Sequence, residues 1–513
     1  MIKLHGTTLE TIWVYFFTGK LMEKVAILGL GKTALSLVRH ALDDDIYNIK
    51  VIEKKERDAF GEIENKIKFL SDEGIEFHFG TQDLSLLDDV SIVAISPGFK
   101  PDSEIIQYII KQVEEDKLSY LTDLDLFLTK LHGLQETVNA VNYVAITGTN
   151  GKTTSSELCA HLLDTVAVGN NGKPMLDFWS YSRSNKAVLE LSSFQLFYSK
   201  TNSIHKYPPQ AAIYLNLTED HLDWHRDMNE YKWSKKKLFT LSTFKENTLI
   251  FNFDDLYLRQ LGLEFAGNAK AMNDVTENPK DQIKTKVKFF SVEHNLAELN
   301  TMVNFDCAFL DNNELKIRNK GEVQSVCSID DIKLKGKHNY SNCLASILAA
   351  NDFMDIFSEE FKERLSSFKA VPHRLEYIAS VRGKDFYNDS KATNPESAIK
   401  SINAFETPIC IVGGKNKNLN LDILIETLLS KAAYVYILGE LKDEIASLLE
   451  QKEFTNYKKI QDLDEAVELS LAYEGNNTVL LTPASSSFDM FKSFEDRGEK
   501  FKEAVLKHSS SRL

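Results

Sequence analysis

The stretch Gly148-Thr149-Asn150-Gly151-Lys152-Thr153-Thr154 carries the strongest chemical signal in the chain. It follows the apolar run Tyr143-Val144-Ala145-Ile146, which predicts a strand, and leads into a helical pattern from Ser155. In that setting glycines let backbone N–H groups approach phosphate oxygens, and the helix N-terminus adds a favourable dipole. Lys152 can then reach the outer phosphates, and the Thr153 hydroxyl can bind Mg²⁺. The loop is short: Ile146 stands five residues before Gly151, where a glycine is usual, and the nearest upstream glycine is Gly148. The plain alternative is a glycine-rich turn with a surface lysine, against which the strand–loop–helix context argues. The chain is expected to use a nucleoside triphosphate.

Two further clusters follow strand-like runs. Glu190 ends one run and precedes Leu191-Ser192-Ser193-Phe194-Gln195-Leu196; another run leads into Asn216-Leu217-Thr218-Glu219-Asp220-His221-Leu222-Asp223-Trp224-His225. Open α/β sheets bind ligands at strand carboxyl ends, and hard oxygen ligands with an imidazole beside a phosphate loop suggest Mg²⁺. Each cluster alone could be a solvated polar loop; together with the phosphate loop they point to a site. Near the N-terminus, Gly29-Leu30-Gly31-Lys32-Thr33-Ala34 fits a dinucleotide-type turn, with Glu53 ending the next strand where a ribose-binding acid would sit. Nicotinamide dinucleotide, another nucleotide diphosphate and a purely structural turn all satisfy that pattern.

These residues need a scaffold of strands with helices between them, and strand-like runs do alternate with helical patterns almost throughout, which implies parallel sheets and an α/β class. Three domains are expected: a Rossmann-like N-terminal domain over 1–138, a central P-loop ATPase-like domain over 139–370 and a Rossmann-like C-terminal domain over 371–513. Expected strands include Val25–Leu28, Lys50–Glu53, Val90–Ile95, Ala187–Leu191, Ala211–Leu215, Thr248–Phe251, Pro408–Val412, Tyr434–Leu438 and Thr478–Leu481. Short β-segments are expected between Lys286 and Leu334, then a helix from Asn342.

At 513 residues the chain is too long for one core. Its net charge of −15 disfavours broad binding to nucleic acid or anionic membrane, so phosphate recognition must be local. The five cysteines are scattered without CxxC spacing and read as reduced thiols of a cytoplasmic protein. The apolar run Ile12–Phe17 is far shorter than the ~20 residues of a membrane span and lacks the flanks of a signal peptide. Residues before Met22 read as an extension ahead of the first strand.

Taken together, these motifs resemble the Mur ligases of peptidoglycan synthesis, most closely those that add D-glutamate, over nearly the whole chain from Val25. Family-level marks are Gly148–Thr153, Asn216 with Asp220-His221-Leu222-Asp223, Gly336-Lys337-His338-Asn339 with Asn342, and Pro372-His373-Arg374. Narrower marks are Glu190–Leu196, Asn388-Asp389-Ser390-Lys391-Ala392-Thr393-Asn394, and Pro483-Ala484-Ser485-Ser486-Ser487-Phe488-Asp489 followed by Phe491 and Phe494.

The resemblance implies an ATP-dependent ligase that phosphorylates the terminal carboxylate of UDP-N-acetylmuramoyl-L-alanine. The amine of D-glutamate then attacks the acyl phosphate through a tetrahedral intermediate. It implies that Lys152 and the loop from Gly148 to Thr154 hold the phosphates, with Thr153 and Glu190 on one Mg²⁺ and His221 on a second. Asn339, Asn342, Arg374 and Asp389 would serve the nucleotide. Lys235, in Tyr231-Lys232-Trp233-Ser234-Lys235-Lys236-Lys237, matches the lysine that the family carbamoylates into an anionic metal ligand; an unmodified basic helix face is the alternative. Gly31, Lys32, Thr33, Glu53, Lys54, Lys55, Gly98, Asn170, Ser192 and Gln195 would bind the UDP-linked substrate. Lys391, Thr393, Lys417, Ser487 and the Phe494 backbone would bind D-glutamate.

Other readings are a Mur-type ligase or folylpolyglutamate synthase with a different acceptor, a non-catalytic nucleotide-binding protein, and an NAD-dependent oxidoreductase. The Asp389–Asn394 segment opposes the first, the Lys152, Glu190, His221 and Lys235 set the second, and the second phosphate loop the third. A monomer is expected, with closure of the third domain over ATP.

Overall fold

The computed structural model describes residues 24–509 apart from 44–47, 135–139, 223, 244, 277, 279–281, 303–304, 335, 370–371, 416–419 and 476–477. The N-terminal extension, Asp223 and Lys417 therefore lie outside the described residues.

Three sheets organise the chain, as the alternation of strands and helices implies. The first contains β1 (Val25–Leu28), β2 (Ile49–Glu53), β3 (Glu76–Phe79), β4 (Ile92–Ile95) and β5 (Ser119–Leu121), in the order β3-β2-β1-β4-β5. All its pairings are parallel. β1 and β4 are apolar at every position and buried throughout, as strands covered on both faces must be. The order reverses at β1, which opens a ligand crevice at its carboxyl end between β1 and β4.

The second sheet contains β6 (Asn142–Thr147), β7 (Ala167–Gly169), β8 (Lys186–Glu190), β9 (Ala211–Tyr214), β10 (Asn247–Asn252), β11 (Thr285–Ser291), β12 (Cys307–Asp311), β13 (Glu314–Asn319) and β14 (Glu322–Ser328). Its order is β14-β13-β12-β11-β10-β9-β6-β8-β7. β6 lies between β9 and β8, parallel to both, so the phosphate loop that follows it leaves a second switch point.

The third sheet contains β15 (Glu376–Val381), β16 (Lys384–Asn388), β17 (Ile409–Gly413), β18 (Tyr434–Leu438), β19 (Tyr457–Lys459) and β20 (Thr478–Leu481), ordered β15-β16-β20-β17-β18-β19. Only β15 runs antiparallel, in a hairpin with β16 that is not among the strands expected from sequence. Its turn, Arg382-Gly383, places both residues at positive φ.

The chain falls into two compact units. One spans 1–311 with 316–324 and 343–361; the other takes 312–315, 325–342 and 362–513. The first sheet and most of the second share the first unit and a continuous core: Leu37, Leu124 and Phe127 from the N-terminal side pack in one cluster with Leu176 and Phe178 from the central side. Asp177, between the last two, is buried and accepts from Ser36 Oγ and Arg39 Nη2 on the N-terminal helix Lys32–Asp43. None of the five cysteines is in a disulfide, and all but Cys327 are buried. Among the described residues no helix is long and apolar enough to cross a membrane.

Candidate active site

In the first unit, β6 delivers Gly148 into close quarters: a Cβ there would stand 3.0 Å from Leu215 Cβ and 3.4 Å from Asn216 N. Gly151 caps the helix Lys152–Leu163 at φ +82°, in the left-handed region that glycine enters without strain. Asn216 clamps the loop from the end of β9. Its Oδ1 accepts from Asn150 N at 2.8 Å, its Nδ2 donates to Asn150 O at 3.0 Å, and its carbonyl accepts from Thr149 N at 3.0 Å. Thr149 Oγ1 accepts from Thr218 N and lies 3.0 Å from the Tyr231 hydroxyl. Lys152 Nζ donates to the Gly148 and Thr149 carbonyls, each at 2.8 Å.

Glu190 and Lys235 are both buried to 1% exposure beside this loop. Glu190 Oε1 accepts from Asn170 Nδ2 at 2.8 Å and Oε2 from Ser156 Oγ at 3.2 Å. Asn170 is itself placed by Gly169 (φ +112°), where a Cβ would stand 2.3 Å from the Glu190 carbonyl. Lys235, on the helix Met228–Lys236, donates from Nζ to the Gly148 carbonyl at 2.8 Å. Burial first, and the Lys152 charge second, hold its amine well below the usual lysine range, with Asp220 opposing. His221 has positive φ (+58°), its N–H donates to Asp220 Oδ1, and its ring packs edge-on against Phe194.

Thr153, Glu190, His221 and an anionic Lys235 carbamate would make a donor set suited to a hard divalent cation. Among the described residues no group of three or more His, Cys, Asp or Glu is placed to hold a metal without such help. The free-base amine that adds CO₂ is the species that the Lys235 environment favours.

At the N-terminal crevice Glu53 binds its own turn: Oε2 accepts from Leu30 N at 2.8 Å and Oε1 from Lys55 N at 2.9 Å. Gly31, Lys32, Lys54, Lys55 and Gly98 are exposed around it and Thr33 half-buried. Lys32 Nζ comes within 3.7 Å of where a Cβ on Gly172 would stand, so the first turn and the Asn170 turn lie side by side. Ser192 and Gln195 form a capping box at the helix Ser193–Tyr198.

The second unit holds Asn339, Asn342, Arg374, Asp389, Lys391, Thr393, Ser487 and Phe494. Asn342 Nδ2 and Asn339 Oδ1 are 3.5 Å apart, one turn from each other on the helix Lys337–Ala350. Asp389 is buried; Oδ1 accepts from Leu375 N, next to Arg374, and Oδ2 from Ser401 Oγ. Burial drives its pKa up to about 7. Lys391 Nζ lies 5.2 Å from the centre of the Phe494 ring, and the Thr393 N–H donates to Lys391 O. Ser487 is buried in the loop after β20, which bridges Lys415 to Ser486 across the β17 end.

Sequence reading missed Arg497. It is 1% exposed and donates to Ser390 Oγ, Ser390 O and Ser485 O, tying together the loops that carry Lys391 and Ser487. Its place three residues after Phe494 was the available signal. Asp177 was also missed, since nothing in its local sequence marks an interdomain partner.

Family models match in three consecutive stretches: a Mur ligase MurD-like N-terminal domain over 23–115, a Mur ligase middle domain over 146–350, and a Mur ligase glutamate ligase domain over 373–485. A UDP-N-acetylmuramoylalanine–D-glutamate ligase of Clostridioides difficile is 33% identical over 499 residues, covering 94% of this chain and 98% of the relative. The ligase of the same name from Caldicellulosiruptor saccharolyticus is 32% identical, again over 94% and 98%. A crystal structure of MurF from Acinetobacter baumannii superposes with a TM-score of 0.55 at 17% identity, over 93% of each chain, and shows the shared fold. With three domain models in order and near full-length relatives above 30% identity, the chain belongs to the Mur ligase family.

Proposed function

We propose that the chain is an ATP-dependent UDP-N-acetylmuramoyl-L-alanine–D-glutamate ligase of peptidoglycan precursor synthesis, acting in the cytoplasm as a monomer. The observation that carries this reading is the packing of Glu190 and Lys235 against the base of the Gly148–Thr154 loop, with Lys235 Nζ on the Gly148 carbonyl. A carboxylate attacking a polyphosphate is anion meeting anion, and a site for it must gather positive charge and backbone donors where the γ-phosphate sits.

In this reading the loop amides and Lys152 hold the β- and γ-phosphates, and Lys152 leaves its two carbonyl partners to do so. Thr153 and Glu190 would hold one Mg²⁺ and His221 a second, with carbamoylated Lys235 as a further anionic ligand, and the bound metal would supply charge neutralisation on the transferring phosphoryl group. Asn339, Asn342, Arg374 and Asp389 serve the nucleotide. Gly31 to Thr33, Glu53 to Lys55, Gly98, Asn170, Ser192 and Gln195 hold the UDP-linked substrate, whose terminal carboxylate becomes an acyl phosphate with release of ADP. The D-glutamate amine attacks the acyl carbon, and phosphate leaves from the tetrahedral intermediate. Lys391, Thr393, Lys417, Ser487 and Phe494 orient the two carboxylates of the acceptor. The names of the relatives support the acceptor and the donor; the phosphate loop supports ATP.

Phosphate release from ATP, measured with UDP-N-acetylmuramoyl-L-alanine against a panel of amino acids, tests the reading. Release should require both the UDP-linked substrate and D-glutamate. Equal turnover with L-glutamate, L-lysine or diaminopimelate would reject the acceptor while leaving the ligase class standing.

A further inference from the structure

Two side chains of the loop after β16 grip the helix Phe494–Ser509 on carbonyls one turn apart. Ser390 Oγ donates to Phe494 O at 2.8 Å, and Asn388 Nδ2 donates to Gly498 O at 3.2 Å. Asn388 Oδ1 accepts from Ser390 N at 3.1 Å, so both grips belong to one turn of the chain. Both residues are fully buried.

The Ser390 hydroxyl also accepts from Arg497 Nε at 2.9 Å. A guanidinium has no acceptor and a carbonyl has no donor, so the chain of bonds can run in one direction only, from Arg497 through Ser390 to Phe494. The hydroxyl proton is thereby committed to the Phe494 carbonyl, and a charged donor behind the hydroxyl strengthens the bond ahead of it. Arg497 Nη2 separately holds Ser390 O and Ser485 O, so these loops stay tied to Arg497 with or without the hydroxyl. What the hydroxyl alone adds is the link to Phe494.

That link fixes Phe494 relative to Lys391, the residue after Ser390, whose Nζ stands 5.2 Å from the centre of the Phe494 ring. The N–H of a first helical residue has no acceptor within its helix, and the helix dipole favours a carboxylate there. An ammonium and a backbone N–H held at one spacing suit a ligand with two carboxylates. We infer that Ser390 is a positioning residue for the acceptor amino acid: its hydroxyl sets the Phe494 backbone against Lys391, so that the two donors keep the spacing the acceptor's two carboxylates require. The inference rests on the reading that Lys391 and Phe494 meet D-glutamate, and the two can fail separately.

Lys391→Ala in the full chain tests the reading. An unchanged KM for D-glutamate removes it, and the inference with it; a raised KM upholds it. Ser390→Ala and Ser390→Val lack the hydroxyl, whereas Ser390→Thr, matched to Val in size, keeps it. The KM for D-glutamate should rise about tenfold in the Ala and Val variants, the scale of one lost hydrogen bond, and stay within about threefold of the parent in Thr. Those for ATP and UDP-N-acetylmuramoyl-L-alanine should stay put in all three. An unchanged KM for D-glutamate in Ser390→Ala, an equal rise in Thr and Val, or all three KM values rising together overturns the role of Ser390. Hydroxyl-free variants that both fail to fold would assign the hydroxyl to the fold alone and overturn it as well.

Discussion

Lys152 and Lys235 share one acceptor: the Nζ of each donates to the Gly148 carbonyl at 2.8 Å. Two ammonium groups on one carbonyl repel, and the one shut away from water yields its proton first. That one is Lys235, held down by burial and then by Lys152. Carbamoylation would turn this repulsion into attraction, because the product is an anion beside the Lys152 cation.

Replacing Lys235 with Ala should abolish turnover, and the carbamate reading adds a sharper consequence. A small carboxylate such as acetate, supplied in solution, should restore part of the activity by standing in for the missing anion. Lys236→Ala should retain most function, since Lys236 is directed to Glu264 on the surface. Failure of any carboxylate to rescue Lys235→Ala, together with an unmodified residue 235 in the intact mass of active enzyme, would refute the carbamate.

Lys152→Ala should lower kcat by about 10³-fold, the scale seen when a preorganised charge donor to a transition state is removed. The side chain donates to loop carbonyls and its loss leaves the apolar core untouched, so the thermal midpoint should stay within about 2 °C of the parent. Phosphate release and thermal unfolding on one preparation separate the two effects. Near-normal turnover would mean that the loop does not carry the chemistry.

Much of this was legible in the sequence because the strands are apolar runs bounded by glycines that a sheet of this kind requires. β1, β18 and β20 lie where the pattern put them, and Gly148, Gly151 and Gly169 mark close approaches and left-handed turns that a side chain would block or strain. The short strands β3, β5 and β7 were not legible, since runs of three or four residues carry too little period to separate from a loop. The partners of buried polar groups were equally hidden. Asp177 meets Ser36 across 141 positions and Arg497 meets Ser390 across 107, and no local pattern encodes a pairing that only tertiary packing creates.

The Asp177 junction predicts a stability effect with little effect on chemistry. Asp177→Ala removes the acceptor of the buried Ser36 hydroxyl and of Arg39, while His40 Nε2 loses a carboxylate 3.5 Å away. An unsatisfied buried hydroxyl costs about 1–3 kcal/mol, and the half-exposed Arg39 adds little because water takes over its hydrogen bond. Denaturant unfolding should show that loss in the transition of the first unit, with kcat close to the parent. Unchanged stability would mean that the apolar contacts around Leu176 and Phe178 alone hold the junction.

Asp389 gives the second unit a distinctive dependence on pH. Burial raises its pKa from 3.8 to about 7, with hydrogen bonds from Ser401 and Leu375 opposing the rise. Between those values the native state holds a proton that the unfolded chain has released, so stability is greatest at the acid end and declines as pH rises through the folded pKa. Above about 7 both states are ionised and the contribution is flat. Asp389→Asn does not titrate, keeps an acceptor for Leu375 N, and lets the Ser401 hydroxyl rotate to accept from the new amide. The thermal midpoint of the variant relative to the parent should therefore improve steadily from about pH 4 to about pH 7 and then level off, over the window that the shift defines. A difference that stays constant across this range would show that Asp389 is ionised throughout, stabilised by Arg374 and its hydroxyl donors more strongly than its burial opposes.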